Sequence, residues 1–332
     1  MEEKIKVSLP RETLELLKKD CEDFKVTKPD GAPNMNAFIN TLIANFYESF
    51  SAGEESLHDD VRRALADVAD RYKENVFEDI VKIFAKRTEQ TGEKKDTATF
   101  SFKPTKVSDK ATTYIENVLL SSESLSSFYR RMFLAYAQKR KNEREKIIYS
   151  DNFQALQKAI KKGVKACIGF KTGEVWTDMT VYAVAPAKDE LFNYALIYTG
   201  RTNMTVRLAS IKSVSLLSQK AEISDANRAL FDRQIACAAQ YPMYNTDDEP
   251  IKVQLTDKGK KLFNKIYLYR PTPVSIEGDV YTFNCSANQL LYYFERFGDK
   301  ALILSPKRLG IFMRNYYHFA LKKYRALYKY DN

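Results

Sequence analysis

Between Gly163 and Leu217 the chain lays down short β-branched and aromatic runs: Val164 to Phe170, Thr180 to Ala185, Phe192 to Tyr198, Thr205 to Leu208 and Ile211 to Leu217. Lys171-Thr172-Gly173, Pro186 to Glu190 and Thr199 to Asn203 interrupt them. That spacing predicts consecutive hairpins of a small barrel rather than parallel strands bridged by helices. Side chains alternate along a strand, so Tyr194, Leu196 and Tyr198 fall on one face and Ala195 and Ile197 on the other, while Arg207 points opposite to Val206 and Leu208. A cation held among aromatics on a rigid strand is the first candidate for chemistry.

Upstream, residues 4 to 10 alternate strictly, with Ile5, Val7 and Leu9 facing one way and Lys4, Lys6 and Ser8 the other. Pro10 opens a helix from Arg11 to Asp23, carried by Leu14, Leu17 and Cys21, and a second helix is predicted from Asn36 to Phe50. A lone strand needs a partner, and residues 97 to 104 supply one by alternating again and ending again in Pro. Helices from Ser108 to Leu120 and from Leu125 onward complete an internal repeat with an offset of about 90 residues. The outer face of the paired strands would carry Lys4, Lys6 and Ser8 with Thr97, Thr99, Ser101 and Lys103. Glu54 to Lys86 is amphipathic, with Leu57, Val61, Leu65, Val68, Tyr72, Ile80 and Phe84 on one side, and reads as a helical connector. The helix leaving the second repeat is expected to run on through Lys139 to Lys146 as a solvated charged face, with Arg130, Arg131, Lys139 and Arg140 available to phosphate.

After the barrel, Ser224 to Gln240 reads as a helix with Ala226, Leu230, Ile235 and Ala238 inward, followed by a linker from Tyr241 to Pro250. Strand Ile251 to Leu255, helix Lys258 to Tyr267, strand Val280 to Cys285, helix Gln289 to Phe297, strand Ala301 to Leu304 and a long helix Pro306 to Tyr330 close the chain. The last helix carries Lys307, Arg308, Arg314, Lys322, Lys323, Arg325 and Lys329 and no acid. Its aromatics are expected to pack on the preceding strands, leaving Arg314, Lys322 and Arg325 as supporting basic residues.

The strings VYAVAP, NYALIY and TVRLASIKSV resemble a WYL domain, with Tyr194-Ala195-Leu196 where that family has Trp-Tyr-Leu, and Ser210 in place of its second basic residue. The amino-terminal strand, helix, helix order resembles the ribbon-helix-helix fold, and FGDKALILSPKRL resembles the extension that follows WYL domains. The resemblance implies an α+β multidomain chain: a ribbon-helix-helix pseudo-dimer, a small SH3/Sm-like β-barrel and a carboxy-terminal α/β sandwich. The expected segments are 1–50 and 96–146 for the two ribbon halves, 51–95 for the connector, 147–218 for the barrel with a leading helix, 219–249 for a helical linker and 250–332 for the extension. Proteins of this kind accompany type VI-D CRISPR effectors, the RNA-guided RNases of antiviral defense. The resemblance therefore implies a partner of single-stranded RNA, stimulation of the effector, and a homodimer through the carboxy-terminal region. On the barrel it points to Arg207 as phosphate contact, Arg201 and Lys165 as supporting charge, and Tyr182 and Tyr194 as stacking surfaces. The competing role for Arg207 is an ion pair with Asp178 or Glu190.

Charge fits a polyanionic partner: the chain carries +10 over 332 residues. No apolar run is long enough to span a bilayer, and Met1 to Lys6 holds no signal core, so a cytoplasmic location is expected. Cys21, Cys167, Cys237 and Cys285 lie too far apart for a metal pair, and His58 and His318 are the only histidines. HExxH, GxxxxGK[ST] and GxGxxG are all missing, so neither catalysis, a metal nor a cofactor is expected. The alternative to the RNA accessory is a transcriptional regulator whose ribbon binds duplex DNA and whose barrel senses a ligand.

Overall fold

In the computed structural model, which describes residues 4–65, 74–81, 83, 96–120, 123–189, 191–244 and 249–328, the alternation at the amino terminus becomes strand β1, Ile5–Pro10. It pairs antiparallel with β2, Thr97–Phe102, of the same chain, setting Lys6 opposite Ser101 and Ser8 opposite Thr99. Val7, Leu9 and Phe102 go inward and are buried. The backbone divides into two compact units, Met1–Ser150 and Asp151–Asn332.

In the first unit β1 leads into α1, Arg11–Asp23, and then α2, which starts at Met35 where the Asn34 side chain accepts the Ala37 N–H. The helix runs to Ala64, well past the expected Phe50. Nothing between breaks it, and Asp59–Arg62 and Asp60–Arg63 pairs support its last turns. The connector's Val68, Tyr72 and Phe84 lie outside the described residues. After β2 come α3, Asp109–Tyr114, which loosens into a π-turn over Ile115–Leu119, and α4, Leu125–Ala137. Strand, helix, helix thus occurs twice. Buried Asn40 ties the halves, donating to the Lys103 carbonyl and accepting from the Thr105 N–H and the Ser108 hydroxyl.

The expected continuous charged helix does not form. The chain breaks after Ala137 and restarts as α5, Lys141–Ile148. Arg144 is buried, with Nε 2.6 Å from Asp20 Oδ2, and the Tyr136 hydroxyl donates to the same carboxylate. Burying a paired cation requires a turn that aims it inward, and a straight helix would have left it in water.

The second unit opens within α6, Ser150–Lys162, and continues into a five-stranded antiparallel sheet in the order β6-β5-β4-β3-β7. Its strands are β3 Val164–Phe170, β4 Val175–Pro186, β5 Asn193–Tyr198, β6 Asn203–Arg207 and β7 Ile211–Lys220. β4 starts five positions before the expected Thr180, because Trp176 packs on Phe170 across the hairpin with ring centres 4.5 Å apart. The helix expected over Ser224 to Gln240 forms as α7, Asp225–Cys237, and packs on the sheet. Phe231 and fully buried Gln234 face inward with Leu230, whereas Ile235 and Ala226 are exposed, a correction to the expected face. Gln234 donates to Thr205 Oγ1 and to the Ala239 carbonyl and accepts the Met243 N–H, so a polar side chain holds the helix where apolar periodicity pointed elsewhere.

The remaining strands, β8 Ile251–Leu255, β9 Pro273–Glu277, β10 Val280–Phe283 and β11 Ala301–Ser305, form a second antiparallel sheet in the order β11-β8-β10-β9. Helices α8 Asp257–Lys265, α9 Ala287–Phe294 and α10 Lys307–Leu327 bring Phe263, Leu290, Tyr293, Phe294, Leu309 and Met313 into its core. Strand β9, with two prolines near its start and mostly exposed side chains, gave no sequence signal. The aromatics of α10 depart from expectation: only Leu309 and Met313 are buried, while Phe312, Phe319 and Tyr324 are exposed. Together the two units make an α+β chain with antiparallel sheets.

Candidate nucleic-acid interface

Antiparallel pairing of β5 with β6 sets Tyr194 directly opposite Arg207. Side chains of directly opposed residues share a face, so the hydroxyphenyl ring and the guanidinium stand side by side. The Arg207 guanidinium carbon lies 3.5 Å from the ring centre of Phe192, the residue just before β5. A guanidinium over a ring is held by the ring quadrupole and is left in a fixed plane. Of the two acids weighed as partners, Glu190 lies outside the described residues.

Around this stack the fold gathers tyrosines that sequence reasoning had not selected. Tyr241, just after α7, has its ring centre 6.3 Å from that of Tyr269 and 6.0 Å from that of Tyr292, and Tyr269 and Tyr292 are 5.8 Å apart. Tyr194 and Asp189 both act electrostatically on Tyr241, and Arg207 acts on Tyr269, so the cluster links β5 and β6 to the residues between β8 and β11. Arg296 lies over Tyr292, 5.5 Å from its ring centre. The β4–β5 loop is tied in by Lys188, whose ammonium donates to the Arg270 carbonyl at 2.9 Å and to Thr272 Oγ1 at 2.8 Å. Burial is the main cause that pushes the Tyr241 and Tyr269 hydroxyls above their ordinary pKa, with neighbouring tyrosines adding to it and Arg207 opposing it at Tyr269. Both stay protonated at neutral pH and serve as neutral hydrogen-bonding groups. Asp189 is likewise raised, first by desolvation, against the lowering effects of the Tyr269 N–H and of Lys188.

The other candidate residues of this sheet distribute differently. Tyr182 stacks on Phe231 of α7, with ring centres 4.9 Å apart and planes at 13°, and its hydroxyl donates to Asp232 at 2.6 Å. One of its ring faces is therefore already covered. Arg201 is exposed in the β5–β6 turn, at the far end of the hairpin from Arg207, roughly 20 Å away along an extended strand. Lys165 is half-buried on β3, three strands from β6 in the sheet order. The structure thus brings Tyr194 to Arg207 and leaves Arg201 and Lys165 apart.

The paired ribbon presents Lys6, Thr99, Ser101 and Lys103 exposed and Ser8 half-buried, and continuing the register sets exposed Lys4 opposite Lys103. Two expected phosphate contacts are corrected. Arg130 donates to the Ser8 carbonyl at 2.7 Å, and Ser126 donates to the Lys6 carbonyl, so α4 satisfies the edge of β1. Arg131 is ion-paired with both Glu54 and Glu123 and lies over the rings of Phe50 and Phe128. The Arg131 charge is spent inside the fold, and Arg130 commits part of its guanidinium to the strand edge. Arg314, Lys322 and Arg325 are exposed on α10. No helix of the described residues is long and apolar enough to cross a membrane.

The chain matches no family model, and no curated protein matches it. Among solved structures, one described as the crystal structure of a CRISPR Cas-related protein superposes with a TM-score of 0.68 at 19% identity, covering 98% of this chain and 95% of that one. The fold is therefore shared over nearly the whole length of both. Proteasome accessory factor B/C of Arthrobacter aurescens is also matched, at 16% identity over 70% of this chain and 39% of that one, with a TM-score of 0.25 that carries no argument.

Proposed function

We propose that this chain is a non-catalytic accessory protein that binds single-stranded RNA on the barrel face around Arg207 and raises the activity of a type VI-D CRISPR RNA-guided RNase. The observation that carries the reading is Arg207 stacked on Phe192 and set opposite Tyr194, within reach of a cluster of tyrosines. Proteins that hold unpaired nucleic acid combine fixed cations with aromatic faces, because every base has a π-face and every nucleotide a phosphate. Duplexes hide the base faces, so this arrangement favours the unpaired strand. The shared fold with a CRISPR Cas-related protein supports the cellular setting. Titrating labelled single-stranded RNA and random duplex DNA side by side at two salt concentrations tests it. Equal affinity for the two forms removes the reading.

A second reading, a transcriptional regulator, draws on the ribbon: Lys4, Lys6 and Lys103 stand on one outward face among hydroxyl side chains, a donor set suited to base edges in a major groove. In either case we propose a homodimer through the carboxy-terminal sheet. Strand β11 is an edge strand with exposed Leu302 and Leu304 flanking Ile303, a Leu-Ile-Leu sequence that is its own match when two copies run antiparallel about Ile303.

A further inference from the structure

Three side-chain atoms along one chain of contacts from Lys188 to Tyr269 are buried without a hydrogen-bond partner: Asp189 Oδ2, Gln240 Nε2 and Gln289 Oε1. Buried polar atoms are nearly always paired, so three along one chain of contacts call for a cause. Their neighbours fix which atom is open in each amide. Gln240 Oε1 accepts the Lys188 backbone N–H at 3.3 Å, leaving its NH₂. Gln289, 1% exposed, donates its NH₂ to the Tyr269 carbonyl at 3.4 Å, leaving its oxygen. Asp189 accepts the Tyr269 N–H, leaving its second oxygen. Asp189 and Gln289 thus grip the two ends of Tyr269, whose φ of 62° is in the left-handed region that a tyrosine adopts at a cost. Gln240 precedes Tyr241, which is in ring contact with Tyr269 and Tyr292.

The open set is one donor and two acceptors, one of them a carboxylate. Among the RNA bases, only the Watson–Crick edge of guanine offers its complement, an O6 acceptor followed by the N1–H and N2–H₂ donors. Uracil presents two carbonyls with one N–H between them, and cytosine two acceptors with one amino group; each sets a lone pair against Asp189 or Gln289. Adenine offers a single donor group. We propose that Asp189, Gln240 and Gln289 form a subsite that reads the Watson–Crick edge of one guanine in a single-stranded RNA. This deepens the RNA reading above and rests on it. The three atoms are covered in the free protein, so binding requires the site to open.

The test uses the full chain and short oligouridines carrying one central guanosine, inosine, adenosine or cytidine, followed by fluorescence anisotropy. Guanosine should bind about tenfold more tightly than the other standard bases, with inosine, which lacks the N2 amino group, in between. Asp189→Asn places an N–H where the acceptor stood and should abolish the preference. Gln240→Glu, which opposes O6, should do the same, and cooperative thermal melts establish that both variants are folded. Equal affinity for all four probes in the unaltered protein, or a preference that survives both substitutions, overturns the subsite alone. Failure to bind any single strand overturns the RNA reading and the subsite with it.

Discussion

The guanidinium of Arg207 is held 3.5 Å over the ring of Phe192, an aromatic partner for a strand-borne cation. Stacking uses the face of a guanidinium and not its N–H edge, and phosphate is recognised by the edge. Arg207→Ala should weaken single-stranded RNA binding on the order of tenfold or more and lower the salt slope by about 0.7, the loss of one phosphate contact. Arg207→Lys, which keeps the charge and loses the planar fork, should recover part of the affinity. Anisotropy titrations across salt measure both, and an unchanged slope in the alanine variant would exclude a phosphate role.

For the ribbon, Lys6→Ala and Lys103→Ala should reduce duplex DNA affinity and leave single-stranded RNA binding intact, since both side chains lie on the first unit's outward strand face. Gel-shift assays with each nucleic acid separate the two sites. Duplex binding indifferent to both changes would remove the second reading.

Burial raises the Asp189 carboxyl above its ordinary pKa, so folding favours its neutral form. The stabilising contribution of a raised carboxyl is present below the unfolded pKa and is lost as pH rises through the folded one. Asp189→Asn should therefore melt at the same or a higher temperature at pH 7.5, with the difference vanishing as the pH falls below the ordinary carboxylate range. Thermal melts across pH check this; a variant that is less stable at pH 7.5 refutes it.

In α8, a Cβ added at Gly259 would come 2.2 Å from the Lys300 carbonyl oxygen, a backbone atom that cannot swing aside. Gly259→Ala should cost about 1–3 kcal/mol by overpacking despite its better helix propensity. Chemical denaturation gives the number, and a stabilised variant would mean that α8 sits further from Lys300.

Exposed apolar edge strands invite pairing, and charge on the edge prevents it. Leu302→Lys with Leu304→Lys should yield a monomer by native mass spectrometry and light scattering. In the antiparallel arrangement about Ile303, a chain carrying cysteine at both 302 and 304 should cross-link on oxidation far better than either single variant, because 302 then faces 304 of the other copy. A dimer that survives the lysine pair is held elsewhere.

How much of this was legible in advance varies with the range of the interactions. The β1 and β2 strands could be read because alternation over a few residues and a terminal Pro are local signals, and their pairing followed from the need of each for a partner. Arg207 could be placed on a face by counting along β6. Phe192, Tyr241, Tyr269 and Tyr292 could not be grouped: they come from a loop, a helix terminus, a turn and α9, and no periodicity links them. Arg131 and Arg144 read as surface cations because composition counts charge without direction. Only packing of α4 against Glu54, and of α5 against Asp20, revealed where that charge is spent.

The sequence by itself determined most of the elements, their order and the faces of the strands, β9 and the break after Ala137 excepted, since hydrophobic alternation and helix caps act over a turn or less. The tertiary structure decided what Arg207 rests on, which cations remain at the surface, and that Asp189 and Gln289 hold the two ends of Tyr269. Those outcomes depend on contacts between residues far apart in the chain, and desolvation and hydrogen-bond geometry fix them only once the chain has closed on itself.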